Sequence, residues 1–172
     1  LTSLEIIDCP KLRVPCEYLG FAMRRTCADM LQILHFENCI VADMPWVFSS
    51  RNKYTVIRIV NCGLEDFSVS EQSFPHLGVL DLSNNPLKHI EFPFRINMPK
   101  LHTLNVRKTG LTQLNNIPCS VERLDIEETS ISIVSHLLEK GNLMTICAEN
   151  TILTDNQIDI LRQKVIDCPG FR

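Results

Sequence analysis

The sequence predicts an α/β solenoid of about seven coils, one domain over residues 1–172, with a single parallel β-sheet and a helix over its last coil. Three observations predict it. A strand template recurs along the chain, each copy is followed by a stretch long enough to turn and return, and the chain closes on a segment with helical periodicity.

The template aligns LTSLEIIDC from Leu1, LQILHFENC from Leu31, YTVIRIVNC from Tyr54, LGVLDLSNN from Leu77, LHTLNVRKT from Leu101, VERLDIEET from Val121 and LMTICAENT from Leu143. Apolar residues hold the first, fourth and sixth positions, a small polar residue or cysteine holds the ninth, and six of the seven copies return to an aliphatic at the eleventh. Successive starts lie 30, 23, 23, 24, 20 and 22 residues apart, which suits a strand, a turn and a short return stroke per coil. Chance matches would not keep both the internal spacing and the outer period.

The return strokes must also carry apolar residues to close the core, and Phe48, Phe67, Phe74, Phe92, Phe94, Ile96 and Met98 fall there. Phe74 and Met98 each stand three residues before the next repeat. The first coil departs from the rest: its stroke RVPCEYLGFAMRRTCADM is long enough for a helical turn or two, and Cys16 and Cys27 on it are candidate disulfide partners. At the other end, TDNQIDILRQKVIDC spaces Thr154 and Gln157 as a capping box and then sets Ile158, Leu161 and Val165 at helical intervals. This assigns a C-terminal cap to residues 154–172.

The repeat resembles the leucine-rich repeat superfamily over nearly the whole chain, most typically in SFPHLGVLDLSNNPLKHI. The resemblance implies a right-handed superhelix with the sheet on its concave face, irregular or briefly helical convex strokes and a helical C-terminal cap. It also implies that the ninth side chain points into the coil, to serve backbone groups left unpaired where the strand turns. That column reads Cys9, Cys39, Cys62, Asn85, Thr109, Thr129 and Thr151. Asn and Thr can satisfy buried backbone groups, whereas a thiol behaves mostly as a compact apolar group. Stacked coils hold the three sulfurs in a row about 4.8 Å apart with no histidine offered from the same side, so a metal site is not expected. Family C-terminal caps often use disulfides, which implies a bridge from Cys147 in the last strand to Cys168 after the helix. Cys119 has no obvious mate.

In stacked parallel strands the third, fifth, seventh and eighth positions face the concave surface. The third column places Ile33, Val56 and Val79 side by side where water should be, an apolar patch suited to protein contact; β-propensity on a parallel sheet is the competing explanation. The fifth column contains His35, Arg58, Asp81, Asn105 and Asp125, and the seventh contains Arg107 and Glu127. Arg58 with Asp81, Arg107 with Glu127 and Lys108 with Glu128 are neighbours across single strand gaps, so ladder pairing accounts for them. Glu122, Asp125, Glu127, Glu128 and Glu149 leave the C-terminal third of this face acidic. The candidate ligand-binding set is therefore Ile33, His35, Val56, Arg58, Val79, Asp81, Asn105, Arg107, Asp125 and Glu127.

Other classes of function do poorly. A formal net charge of −3 and a pI near 6.0 offer no basis for nucleic-acid binding. No apolar run reaches the roughly 18–20 residues of a membrane span, and LTSLEIID lacks the features of a signal peptide. None of the five histidines has a nucleophile and a carboxylate at matching height, and the six glycines form no phosphate loop. No catalytic residue, metal or cofactor is assigned.

The resemblance implies non-catalytic recognition of a protein ligand or co-receptor, as in extracellular receptor, immune or neuronal proteins of this family. A second copy pairing on the first strand, which has no recognisable cysteine-rich cap, is a further expected partner. Two compartments stay open. The repeat lengths, phenylalanine-rich strokes and terminal cysteines favour an extracellular or cell-surface location, whereas ENCIV and IDCPKL are similar to a cysteine-containing intracellular subtype, and the chain contains no Asn-x-Ser/Thr sequon.

Overall fold

The computed structural model describes residues 2–11, 13–14, 30–41, 53–68, 74–92, 98–132 and 142–165. Its framework is one parallel sheet of seven strands: β1 (Ser3–Ile7), β3 (Ile33–Glu37), β5 (Val56–Val60), β7 (Val79–Asp81), β9 (Thr103–Asn105), β10 (Arg123–Asp125) and β11 (Thr145–Cys147), each hydrogen-bonded to the next in chain order. Strands that are parallel and sequentially adjacent require the chain to return on one side between them, so the molecule is a parallel-sheet solenoid. The register follows the template: Ser3, Ile33, Val56, Val79, Thr103, Arg123 and Thr145 are paired across the whole sheet, as are Glu5, His35, Arg58, Asp81, Asn105, Asp125 and Cys147.

The core is built by the template's apolar positions. Leu34, Ile57, Leu80, Leu104, Leu124 and Ile146 at the fourth, Phe36, Ile59, Leu82, Val106 and Ile126 at the sixth, and Val41, Leu64, Leu87, Leu111 and Ile131 at the eleventh are all buried. Burial alternates along each strand because successive side chains point to opposite faces. At the β1 edge the same positions, Leu4 and Ile6, are only half-buried, since one flank has no described neighbour. Of the predicted return-stroke residues, Phe67, Phe74, Phe92 and Met98 are buried; Phe48, Phe94 and Ile96 lie outside the described residues, as do Cys16, Cys27 and Cys168.

The described convex segments differ from the expected irregular strokes at two places. There β2 (Arg13–Val14) pairs with β4 (Ile40–Val41), and β6 (Asp66–Ser68) with β8 (His89–Glu91), as two small parallel sheets. For β6 and β8, coils of 23 and 24 residues bring equivalent backbone segments alongside one another, and Phe67 and Ile90 in register suffice to pair them without a visible alternation.

The helix α1 (Asp155–Val165) begins at the predicted capping box: the Gln157 N–H donates to Thr154 Oγ1 at 3.3 Å, and Gln157 Oε1 accepts the Thr154 N–H at 2.9 Å. Leu161 and Val165 are buried and Ile158 is half-buried, as the helical interval requires. Among the described residues no helix is long and apolar enough to cross a membrane.

Candidate functional site: the solvent-facing side of the sheet

Where each strand ends, the eighth template position adopts a left-handed conformation in all seven repeats: Asp8, Asn38, Asn61, Asn84, Lys108, Glu128 and Asn150 have φ between 51° and 57°. Asn and Asp tolerate this region better than other L-residues, which explains five of the seven. The eighth residues therefore form the turn that carries the chain off the sheet, rather than part of the flat strand face. Three of them form a ladder, with Asn61 Nδ2 donating to Asn38 Oδ1 at 2.7 Å and Asn38 Nδ2 donating to Asp8 Oδ1 at 2.6 Å.

Behind the turn, the ninth side chains point inward. Cys39, Cys62, Asn85, Thr109 and Thr129 are buried. Thr109 and Thr129 donate to the carbonyls of Val106 and Ile126, each at 2.7 Å. Asn85 does more: its Oδ1 accepts the N–H groups of Cys62 and Leu64 at 2.9 and 3.1 Å, while Nδ2 donates to the carbonyls of Ile59, Leu82 and Ser83. It thus ties its own turn to the turn of the preceding coil. Cys62 makes only a weak thiol bond to the Val60 carbonyl at 3.2 Å, and Cys39 lies against it with a sulfur–sulfur distance of 3.6 Å. Burial and the adjacent Cys62 push the Cys39 thiol up to about 12. Cys147, expected to bridge to Cys168, is a free, half-buried thiol, raised by burial and by the nearby Asp125. No group of three or more potential metal ligands occurs among the described residues.

The sheet face divides into two parts with different chemistry. On β1, β3 and β5 the strands run five residues, through template position seven; from β7 onward they run three. For β7, β9 and β10 the cause is the fifth residue; β11, equally short, carries Cys147 there instead. Asp81, Asn105 and Asp125 each turn a side-chain oxygen back to the N–H two residues on, at Ser83, Arg107 and Glu127, with distances of 3.0–3.1 Å. Such Asx turns bend the backbone early. Glu5, His35 and Arg58 are too long or carry the wrong group for this closure, so their strands continue. Three of the candidate binding residues, Asp81, Asn105 and Asp125, are thus partly committed to the scaffold. Aspartate or asparagine at position five, three repeats running, was the signal for it.

The predicted ladder pairs are present in part. Arg107 bonds Glu127 at 3.1 Å and Glu128 at 2.8 Å, and Lys108 reaches Glu128 at 3.3 Å. The bond from Arg107 holds the Glu128 carboxyl below its ordinary value, whereas burial and the nearby Asp125 hold Glu127 above. Arg58 and Asp81 lie opposite one another in register, yet no ion pair joins them: Asp81 serves Ser83, and Arg58 is exposed. His35 Nε2 is 3.1 Å from Glu37 Oε2 on its own strand. Around Arg58 the side chains of Ile33, Val56 and Val79 sit in one row, each half-buried.

No protein-family model matches this sequence, and no curated protein matches it. Among solved structures the fold is similar to the crystal structure of an internalin, InlF, from Listeria monocytogenes, with a TM-score of 0.58 at 14% identity over 83% of this chain and 48% of that one. The chain thus spans about half the length of that protein. The likeness is one of fold, and it supports a repeat architecture of the leucine-rich type.

Proposed function

We propose that the chain is a non-catalytic protein-recognition module of about seven leucine-rich coils, closed by α1 as a cap, that binds a protein ligand on the solvent-facing side of β3, β5 and β7. The observation that carries this reading is the row Ile33, Val56 and Val79 beside an exposed arginine, Arg58, that no acidic side chain of the described residues engages. An apolar row flanked by an uncommitted charge suits a partner surface. The C-terminal part contributes less, because Asp81, Asn105 and Asp125 serve their turns and Arg107 and Glu127 serve each other. Recognition by rigid presentation fits the hydrogen-bonded register, since little ordering entropy is lost on docking.

The test is the double variant Val56→Glu with Arg58→Glu, compared with Lys100→Glu on an exposed turn, as baits for quantitative capture of partners. Partners retained by Lys100→Glu and lost by the double variant, with melting nearly unchanged, support the reading; equal capture by both removes the site from this face. An extracellular or cell-surface location accompanies the proposal. The free thiols of Cys9, Cys39, Cys62 and Cys147 favour a second reading, an intracellular adaptor. Counting thiols in freshly isolated protein with and without reductant separates the two.

A further inference from the structure

We propose that Cys39 and Cys62 are a redox-active pair that closes into an inter-coil disulfide under oxidising conditions, stapling the coil of β3 to the coil of β5. Their sulfurs are 3.6 Å apart, in thiol hydrogen-bond contact and not joined by a disulfide. The two residues hold the same template position on adjacent parallel coils, where neighbouring backbones run about 4.8 Å apart, inside the range of about 4.4–6.8 Å between Cα atoms that a disulfide needs. Side-chain rotation alone therefore brings the sulfurs to bonding distance. Both thiols are buried, yet together with Asp8, Asn38, Asn61 and Gly63 they line an open groove of about 620 Å³, which gives a small oxidant its approach. The next member of the column, Cys9, is differently placed: it lies half-exposed at the sheet edge with its thiol on the Ile7 carbonyl at 3.4 Å.

The oxidant is a low-molecular-weight disulfide. One of the two cysteine thiolates attacks a sulfur of it, forming a mixed disulfide and expelling one small thiolate. The second cysteine thiolate then attacks the protein sulfur of that mixed disulfide, forming the Cys39–Cys62 bond and expelling the other. The two cysteine protons pass to the two departing thiolates, so the protein loses two electrons and the small disulfide gains them. Because both sulfurs are almost wholly buried, the small disulfide reaches them slowly, and the exchange proceeds over minutes to hours rather than seconds.

The bond links positions 23 apart in the sequence, and restricting the unfolded chain in this way raises the melting temperature by about 10 °C. The experiment incubates the full chain in reduced and oxidised glutathione mixtures, blocks remaining thiols, and maps linked peptides by mass spectrometry alongside thermal melting. The expected result is a peptide pair joining Cys39 to Cys62, a melting temperature raised by about 10 °C, and reversal of both by dithiothreitol; Cys39→Ser abolishes the shift. Mapping on the unsubstituted protein decides the matter even if that variant folds poorly. Both thiols remaining unlinked in the folded protein, linkage of Cys39 to Cys9 instead, or a lowered melting temperature on linkage each overturns the proposal. None of these outcomes depends on which face binds a partner.

Discussion

Replacing Asn85 with alanine isolates what the ninth position contributes. The side chain is 2% exposed and makes five hydrogen bonds, two as acceptor and three as donor. One of the five is dispensable, because the Ser83 carbonyl also accepts the Asn61 N–H at 3.2 Å. The Cys62 and Leu64 amides and the Ile59 and Leu82 carbonyls lose their side-chain partner outright, in a turn closed to solvent. A buried polar group left unmade costs about 1–3 kcal/mol, so four set bounds of about 4 and 12 kcal/mol. The space vacated by the carboxamide is polar and admits a water able to restore one or two of these bonds. The expected loss is therefore near the lower bound, about 3–4 kcal/mol, a large share of the roughly 5–15 kcal/mol that holds a domain together. The comparison is Thr109→Ala, which gives up one bond to the Val106 carbonyl and is expected to cost about 1 kcal/mol. Urea unfolding at 25 °C followed by circular dichroism measures both. If Asn85→Ala proves no more costly than Thr109→Ala, the bridge between coils does not stabilise the stack and the account of this column is wrong.

Two further outcomes follow from the turn and the acidic end of the face. Gly63 has φ of +70° and a methyl group added there would meet nothing within 4 Å, so Gly63→Ala is expected to cost about 1 kcal/mol through backbone conformation alone, as read from denaturant midpoints. Burial holds the Asp125 carboxyl above its ordinary value, against the opposing pull of the Glu127 N–H and Arg107. The folded state thus binds that proton more tightly than the unfolded one, and this contribution to stability is present at low pH and lost as pH rises from roughly 4 through the raised value. Asp125→Asn keeps an oxygen for the Glu127 N–H and is expected to flatten the curve of melting temperature against pH above 4; curves that run parallel for the two proteins would contradict the assignment.

The strand register was legible because several demands coincide: apolar residues at positions one, four and six on every coil, and an aliphatic at eleven on six of the seven. Sliding any strand by one residue would turn Leu80 and Leu82 out to water, so the pattern tolerates a single alignment. The turn chemistry was written as plainly and was missed. Asp8, Asn38, Asn61, Asn84 and Asn150 announce a left-handed residue at position eight, yet Lys108 and Glu128 at the same position obscured the column. The Arg58 and Asp81 pairing failed for a reason adjacency does not reveal: a carboxylate on the short aspartate stem reaches its own turn before it reaches a neighbour. Short convex strands such as β6 and β8 are set by coil-to-coil stacking, which leaves no period in three residues.

The Asp or Asn at position five that ends β7, β9 and β10 early also commits that part of the face to internal bonding. Where position five is Asp or Asn, the side chain closes a turn and the face beside it is filled by internal pairs such as Arg107 with Glu127 and Glu128. Where it is His35 or Arg58, the strand extends to position seven, and Val60 adds to the apolar row of Ile33 and Val56. Those longer strands lie over the cysteines of the ninth column, which offer their neighbours only weak hydrogen bonds, whereas Asn85 reaches back to fasten the turn of β5 from the far side. Coils β3 and β5 are therefore joined by backbone ladder, by the Asn61–Asn38 amide bond and by packed sulfur, with no buried carboxamide between them. A disulfide at that one junction would supply the missing tie beneath the row of Ile33, Val56 and Val79.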